Sequence, residues 1–305
     1  MGVRLSLLNE WDGLVRLFDG IISAWSVGGN EFSSALTSFR EEVLEYIVCA
    51  DRSSCGSRVG FIREYLEGLI NALRGSGFGV LVVDAVLSYR GLVRDVEGLG
   101  PLWFTPLWHP LLDVPWIPSS SIKGVLRNSY EWLLAESWGV DVSDRGVRSC
   151  SSILFGCSES DCPGGVEPGV GLVKVLDAYP VGCGLSGGLV EADVVTRHYG
   201  ENTVTELDVK PIPVHGLVIA AGTKYEFIIL LEEAGEEALR VLRENNCIPQ
   251  ALANNNSPGI LGLVSRLLFY ALENVGVGGR TTRGYGFFNQ IERIEYIQSR
   301  RSRRR

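Results

Sequence analysis

The central part of the chain contains the start of a predicted helix, in the stretch Pro118-Ser119-Ser120-Ser121-Ile122-Lys123-Gly124-Val125-Leu126-Arg127. Proline disfavours helical backbone at the residue before it, and serine is a good residue for capping a helix N-terminus. A helix should therefore begin near Ser120 and continue to Trp138. Apolar residues recur through it at helical spacing, and these are Ile122, Val125, Leu126, Tyr130, Leu133 and Leu134.

The first turns of this helix carry groups that suit a phosphate. Lys123 and Arg127 are four residues apart and lie on one face, and Ser120 and Ser121 add hydroxyl groups next to the unpaired N–H groups of the helix end. The positive end of the helix dipole favours an anion there. The pattern indicates a phosphate-binding terminus. The alternative, which this stretch alone favours, is an amphipathic helix with a serine cap and a solvated basic edge.

A second stretch with anion-binding character lies near the C-terminus, from Gly276 to Gly286. Five of its eleven residues are glycine, which permits positive φ and close approach of the backbone to a ligand. Arg280 and Arg283 add positive charge to the same loop. We predict that Gly278, Gly279, Arg280 and Arg283 contact a polyanion, with a tight helix-to-strand turn as the alternative.

Together the two stretches resemble the RAMP superfamily, whose members are subunits of CRISPR effector complexes. The resemblance includes Leu154-Phe155-Gly156 and Val175-Leu176-Asp177-Ala178-Tyr179-Pro180, and it covers about Val80 to Ile297. The segment from Asp193 to Tyr199, followed by Lys210-Pro211-Ile212-Pro213, is most similar to the RAMP subunit that caps the target-3′ end of the type III-B (Cmr) complex. Ser119 and Arg197 depart from the family pattern, which has glycine and proline there.

The order of predicted elements favours an α+β fold. Residues Val80 to Leu87 alternate as a strand does, and strands and helices then succeed one another twice, ending with a strand from Phe287 to Ile297. The resemblance implies a tandem ferredoxin-like (RRM-like) RAMP fold. Its core would span residues 77–297, with one half at about 77–196 and the other at about 210–297.

The N-terminal residues 1–76 are predicted to form a helical module. Apolar residues recur at helical spacing in two runs, namely Phe39, Val43, Tyr46 and Ile47, then Phe61, Ile62, Tyr65, Leu66 and Leu69. We expect this module to pack on the rest of the chain or on a neighbouring subunit. At the other end, residues 298–305 form a basic tail that we predict to be disordered.

The resemblance implies a structural role in antiviral defence. We expect a non-catalytic subunit that holds the 3′-proximal crRNA and target RNA by their backbones, since guide sequences vary. Its protein partners would be other RAMP subunits, above all the filament-forming backbone subunit. Two alternatives stay open. One is the equivalent capping subunit of the type III-A (Csm) complex, and the other is a metal-independent RAMP-fold endoribonuclease that processes crRNA, with His109 or His198 as acid or base.

Net charge restricts how such a chain can bind RNA. The formal charge is −8 over 305 residues, which excludes a generic nucleic-acid binder that relies on overall basicity. Any contact with RNA must therefore be local. No apolar run is long enough to span a membrane and no secretory signal begins the chain, so we expect a cytoplasmic protein without membrane partners.

Seven cysteines, an odd number, do not suggest a secreted disulfide framework. Cys150, Cys157, Cys162 and Cys183 lie in a region rich in glycine where a metal could be bound, but their spacing lacks a close CxxC pair. Free thiols or a stabilising disulfide are therefore preferred to zinc, and no cofactor is expected.

The residues between the two halves carry a predicted hairpin. Val190 to Thr196 and residues 203–209 could pair as short strands around Gly200-Glu201-Asn202, and Pro211 and Pro213 would end the pairing. In related subunits a hairpin of this kind wedges between base pairs. Arg197, His198 and Tyr199 would then contact RNA, with Tyr199 stacking on a base. The alternative is a hairpin that packs on the sheet.

Overall fold

The computed structural model describes residues 29–93, 96–97, 104–160, 162–163, 167–197, 212–231, 235–253 and 259–297. Its helices are α1 (Gly29–Leu73), α2 (Ser119–Trp138), α3 (Arg145–Phe155), α4 (Gly235–Glu244) and α5 (Gly259–Tyr270), with a π-helical turn at Ala271–Val275 and 3-10 turns at Gln250–Leu252 and Thr281–Arg283. Its strands are β1 (Gly79–Leu87), β2 (Val96–Glu97), β3 (Phe104–Thr105), β4 (Trp108–His109), β5 (Val114–Pro115), β6 (Gly156–Cys157), β7 (Gly169–Val170), β8 (Val173–Val175), β9 (Tyr179–Gly182), β10 (Val190–Arg197), β11 (Ile212–Ile219), β12 (Lys224–Leu231) and β13 (Phe288–Ile297).

The main sheet is antiparallel and has the order β13-β1-β12-β8, with β9 also paired to β12. Side chains of β1 point alternately to its two faces, and both faces are covered. Leu81, Val83 and Ala85 enter a core shared with α2, α3 and α5. Val80 and Val82 enter a second core shared with α1. The strong apolar alternation of β1 is therefore explained by burial on two sides.

The predicted α+β class with a helical N-terminal segment is confirmed. The helix expected from Ser120 to Trp138 is α2, and the expected strands at Val80–Leu87 and Phe287–Ile297 are β1 and β13, each within a residue or two. In the sheet, β1 from the proposed first half lies between β12 and β13 from the second. The division into two halves stays a prediction.

The described part of the predicted helical N-terminal module is one long helix. α1 is 45 residues long and includes both periodic runs. Within the second run, Ile62 and Leu66 are buried, whereas Phe61 and Tyr65 are 57% and 46% exposed. The apolar residues of this run are therefore divided between a buried face and an exposed face of α1. Residues 1–28 and the tail 298–305 lie outside the described part.

α1 packs on the rest of the chain, which is one of the two expected arrangements. Besides its apolar contacts with the main sheet, its buried Asp51 accepts the N–H groups of Leu189 and Val190 through Oδ2, at 2.6 and 2.9 Å. Arg58 in turn pairs with Asp51. A disulfide between Cys55 and Cys183 adds a covalent link from α1 to the end of β9. The helix is thus fixed on the sheet near the start of β10.

β10 covers the first strand of the predicted hairpin, whereas its observed partner strand begins only at Ile212. β10 pairs with β11, in register from Val190 opposite Ile219 to Arg197 opposite Ile212. Pro213 lies within β11 opposite Thr196, so the prediction that this proline ends the pairing was wrong. The partner strand that we expected, at residues 203–209, lies outside the described residues. A proline is tolerated here because β10 and β11 form a two-stranded sheet with open edges.

The cysteines form disulfides that their spacing did not indicate. Cys150 pairs with Cys247, Cys157 with Cys162 and Cys183 with Cys55, while Cys49 is free and exposed. All four cysteines considered for zinc are therefore oxidised. Within the described residues no group of His, Cys, Asp or Glu is arranged to hold a metal ion. In the same part of the chain, no helix combines the length and apolarity needed to cross a bilayer.

Candidate functional site

The N-terminus of α2 is capped by a residue from another part of the chain. The N–H of Ser119 donates to Oδ1 of Asp177 at 2.7 Å. Pro118 occupies the cap position with extended backbone, and no side chain of that residue caps the helix. The predicted serine cap was therefore wrong. Because the Asp177 carboxylate already lies at the positive end of the dipole, a phosphate at this end would have to bind beside it.

Basic side chains gather along one flank of α2, and we refer to Lys123, Arg127 and Lys174 as the basic cluster. The pKa of Lys123 is lowered, mainly because the half-buried ammonium loses water and further because Arg127 and Lys174 are close to it. Nε of Arg127 lies 2.8 Å from Oε1 of Glu131, which also accepts the Ser151 hydroxyl from α3. The hydroxyl-bearing Ser120 is exposed and Ser121 is half-buried in the turn before Lys123.

Lys174 was missed by the sequence reasoning. It belongs to β8, about fifty residues from Lys123, and reaches the cluster only because β8 packs beside α2. Its Nζ also lies 5.0 Å from the centre of the Phe78 ring. The family motif that begins at Val175 starts one residue later, so no local spacing pointed to this lysine.

The glycine-rich loop uses its backbone for packing. The N–H of Gly279 donates to the carbonyl of Leu92 at 2.7 Å, and the N–H of Gly286 donates to that of Arg90 at 2.8 Å. A Cβ on Gly278 would lie 2.6 Å from the Leu92 oxygen. The close approach of two main-chain segments therefore requires Gly278. The backbone amide of Gly279 is bonded within the protein, so a ligand at this loop would be met by side chains.

Arg280 and Arg283 are the charged side chains of this loop. Arg280 is half-buried, has φ 60° and places its guanidinium 5.6 Å from the centre of the Phe104 ring. Arg283 is exposed at the end of the 3-10 turn. Neither arginine forms an ion pair with another residue in the described part of the chain. Both charges are therefore uncompensated, as a site for an anion requires.

A polar contact joins the glycine-rich loop to the β10–β11 hairpin. The hydroxyl of Tyr285 donates to Oδ2 of the buried Asp193 on β10. Arg90 pairs with the same residue at 2.7 Å and with Glu191 at 2.5 Å. Burial, followed by the contact with Asp193, raises the pKa of Tyr285 to about 12. Sequence spacing had not indicated Arg90, Asp193 or Tyr285, because these residues meet only through the tertiary fold.

The third group of predicted RNA contacts consists of Arg197, His198 and Tyr199. Arg197 ends β10, at the far end of the hairpin from Val190, while His198 and Tyr199 lie outside the described residues. An apolar cluster joins the loop to the β10–β11 pair and contains Leu92, Phe104, Val195, Val214, Val218 and Tyr285. The loop and the strand pair therefore share one core, and this core extends to within two residues of Arg197.

The basic cluster and the glycine-rich loop lie next to different faces of α2. Arg127 and Glu131 face α3, whereas Asn128 and Trp132 line a groove of about 780 Å³ with Thr281 and other residues. Residues 128 and 132 are four apart and form a different face of the helix from 127 and 131. The two predicted binding groups are thus next to different faces of the same helix.

His109, the proposed acid or base of the nuclease alternative, has a structural role. Its Nδ1 accepts the N–H groups of Leu112 and Leu111 at 3.1 and 3.3 Å in the β4–β5 turn. Its ring packs edge-on against Trp116 and Tyr179, with centres 5.7 and 5.8 Å away. With Nδ1 accepting two hydrogen bonds, only Nε2 is left for chemistry.

The comparisons with known proteins agree with this architecture. The profile of the RAMP superfamily matches residues 52–289, which is most of the chain, and the chain belongs to that superfamily. Among curated proteins it is similar to the CRISPR system CMR subunit Cmr6 of Saccharolobus solfataricus, with 27% identity over 170 residues. That match covers 55% of this chain and 51% of the relative, so it spans about half of the relative's length. The resemblance to type III-B Cmr subunits is thereby confirmed.

One solved structure shows the same fold. A chain of the cryo-EM structure of the type III-B Cmr-beta complex bound to cognate target RNA superposes with a TM-score of 0.59 at 23% identity, covering 88% of this chain and 76% of that chain. A crystal structure of Cmr6 from Pyrococcus furiosus has a TM-score of 0.37 at 19% identity, covering 69% of this chain and 97% of that one.

Proposed function

We propose that this chain is a non-catalytic, RNA-binding structural subunit of a type III-B CRISPR (Cmr) ribonucleoprotein. In this role it grips the 3′-proximal backbone of crRNA and target RNA and caps the filament of RAMP subunits. Its partners are these RNAs and the neighbouring RAMP subunits, above all the one that forms the filament. Membership of the RAMP superfamily and the similarity to Cmr6 support the proposal.

The observation that carries the RNA-binding role is the basic cluster on a chain whose formal charge is −8. The positive charges of Arg127 and Lys174 repel the ammonium group of Lys123, and this repulsion contributes to the lowered pKa of Lys123. A phosphate beside the three side chains would remove the repulsion and accept charge-assisted hydrogen bonds. Such contacts read no base, which suits a protein whose guide sequence varies.

We extend the proposal to the glycine-rich loop and the hairpin. Arg280 and Arg283 would contact a second stretch of backbone, with Gly278 and Gly279 shaping the loop that holds them. The hairpin would cross the guide–target duplex, where Arg197, His198 and Tyr199 contact the nucleic acid. Its link to the loop through Asp193 and Tyr285 supports this, since loop and hairpin would then act on RNA as one unit.

Neutralising single cations in the assembled complex tests the proposal. Lys123→Gln and Arg280→Gln should each weaken binding of RNA by a similar factor for all sequences. Each should lower the slope of log affinity against log salt concentration by roughly 0.7–0.9, as loss of one phosphate contact requires. The control is Arg240→Gln, because Arg240 is an exposed arginine of α4 that pairs with Glu237. Unchanged affinity and salt slope in both test variants would show that these patches do not grip RNA.

The same preparations separate the proposal from its alternatives. Incubation of the purified chain with repeat RNA in a chelator should give no site-specific product, because His109 is engaged in a turn. Cleavage that is lost on His109→Ala would favour the processing nuclease. Identification of the proteins that copurify with the chain would separate a type III-B complex from a type III-A complex.

A further inference from the structure

A second cavity with unusual electrostatics lies at the C-terminal end of α2. It has a volume of about 470 Å³ and is enclosed by α2, α4, α5 and the 3-10 turn at Gln250–Leu252. Polar residues that line it include Ser137, Asn246 and Gln250. Of the described lining residues, only Arg243 and Arg266 are charged, so the cavity contains positive charge without a carboxylate to balance it.

Arg266 is held in this wall in a way that leaves its charge uncompensated. Its Nε donates to the carbonyl of Leu252 at 2.9 Å, which fixes the side chain against the 3-10 turn. Its Nη1 is buried and has no hydrogen-bond partner among the described residues. The pKa of Arg266 is lowered because burial removes water from the guanidinium. Arg266 is half-buried, and charged groups withdrawn from water are normally paired. Among the described residues, none forms an ion pair with this arginine.

The turn opposite Arg266 is firmly held. The carbonyl of Asn246, a residue with φ 53°, accepts the indole N–H of Trp138 at 3.2 Å. The next residue, Cys247, accepts the buried hydroxyl of Tyr130 at its carbonyl and is linked to Cys150. Arg243 lies one turn earlier, is exposed and can move toward a ligand. The cavity therefore combines a fixed arginine with an adjustable one, on a preorganised wall.

We propose that this cavity is a phosphate-binding site, distinct from the basic cluster. Guanidinium groups bind phosphate oxygens through paired hydrogen bonds, and a phosphate would supply the anion that Arg266 lacks. Ser137 and Lys123 are fourteen residues apart on α2, which corresponds to about 21 Å along the helix, so one phosphate cannot occupy both sites. The inference does not rest on the proposed RNA-binding role.

Titration of the full chain with inorganic pyrophosphate, followed by calorimetry, tests the site. We expect saturable binding that weakens by about tenfold in Arg243→Gln, which removes an exposed charge without disturbing the core. Arg266→Lys keeps the charge but loses the planar fork, and should weaken binding by a similar factor. Arg240→Gln is the control and should bind as the unaltered chain does, because Arg240 is exposed on α4, pairs with Glu237 and does not line the cavity. Absence of saturable binding, or an affinity in either arginine variant equal to that of the unaltered chain, would overturn the proposal.

Competition then identifies the source of the phosphate. Single-stranded RNA oligonucleotides with a 5′-phosphate or a 5′-hydroxyl are added to the chain loaded with pyrophosphate. Displacement by both oligonucleotides indicates a backbone phosphodiester, and displacement by the 5′-phosphate form alone indicates a terminal phosphate. If neither displaces pyrophosphate, the site binds a free phosphate compound. The cavity is tested by Arg243→Gln and Arg266→Lys, whereas the proposed RNA grip is tested by Lys123→Gln and Arg280→Gln, so failure of one proposal is distinguishable from failure of the other.

Discussion

Asp177 shows at the level of a single residue how the fold adjusts a predicted anion site. Its carboxylate accepts the N–H of Ser119, 58 positions earlier in the chain, and so caps α2. We expect Asp177→Ala to lower the free energy of unfolding by about 1 kcal/mol, since it leaves a helix N–H without its acceptor. Urea denaturation would measure the change. Asp177→Asn keeps an acceptor oxygen and should retain most of the stability; equal losses in both variants would contradict the capping role.

Glu226 is a second residue with an individual effect, here on how the free energy of unfolding depends on pH. It is 4% exposed and lies opposite Asp84 in the sheet. Burial, then the negative charge of Asp84 and of Glu67, raises the pKa of Glu226 to about 7, while Arg293 opposes the shift. The folded protein therefore keeps a proton that the unfolded chain releases above about 4.5. The stability this group contributes is complete below that pH and is lost as pH rises through about 7.

We accordingly expect the free energy of unfolding to decrease between about pH 5 and about pH 8, in part because of Glu226. Glu226→Gln carries no titrating proton and should show a smaller decrease over the same interval. Denaturant titrations at several pH values would measure both slopes. Identical slopes in the two proteins would show that Glu226 titrates normally in the folded state.

At the scale of one element, the glycine-rich loop depends on particular glycines. Gly286 has φ 75°, and a Cβ there would lie 2.1 Å from the carbonyl oxygen of Val277. Gly284 has φ 86°, but a Cβ there would meet nothing within 4 Å. Gly284→Ala should thus cost only the backbone strain of about 1–2 kcal/mol, and Gly286→Ala should cost clearly more. Thermal unfolding of the two variants makes the comparison, and equal losses would argue against the close approach.

At the scale of the whole molecule, disulfides connect distant parts of the chain. Cys55 and Cys183 are 128 residues apart, whereas Cys157 and Cys162 are 5 apart. Chain entropy predicts a stabilisation of roughly 5 kcal/mol from the long loop and roughly 2 kcal/mol from the short one. The double variant Cys55→Ala/Cys183→Ala should accordingly be less stable in urea than the matched double variant Cys157→Ala/Cys162→Ala. The reverse order would mean that α1 is fixed on the sheet without help from the disulfide.

The sequence by itself determined the features that depend on neighbouring residues. Periodicity located α2, β1 and β13, because burial on one or both faces of an element repeats with the geometry of that element. The motifs around Lys123 and Gly278 pointed to the RAMP superfamily. The candidate residues Lys123, Arg127, Arg280 and Arg283 were also identified in this way, since each lies in a short stretch of recognisable chemistry.

Only the tertiary structure decided which of these groups meet. Contacts between distant segments place Asp177 at the N-terminus of α2, Lys174 near Lys123, and β11 beside β10. The cavity lined by both Arg243 and Arg266 is another case, since the two residues come from different helices. Such contacts follow from how whole elements pack, and local spacing has no information about packing between elements that the chain brings together from far apart.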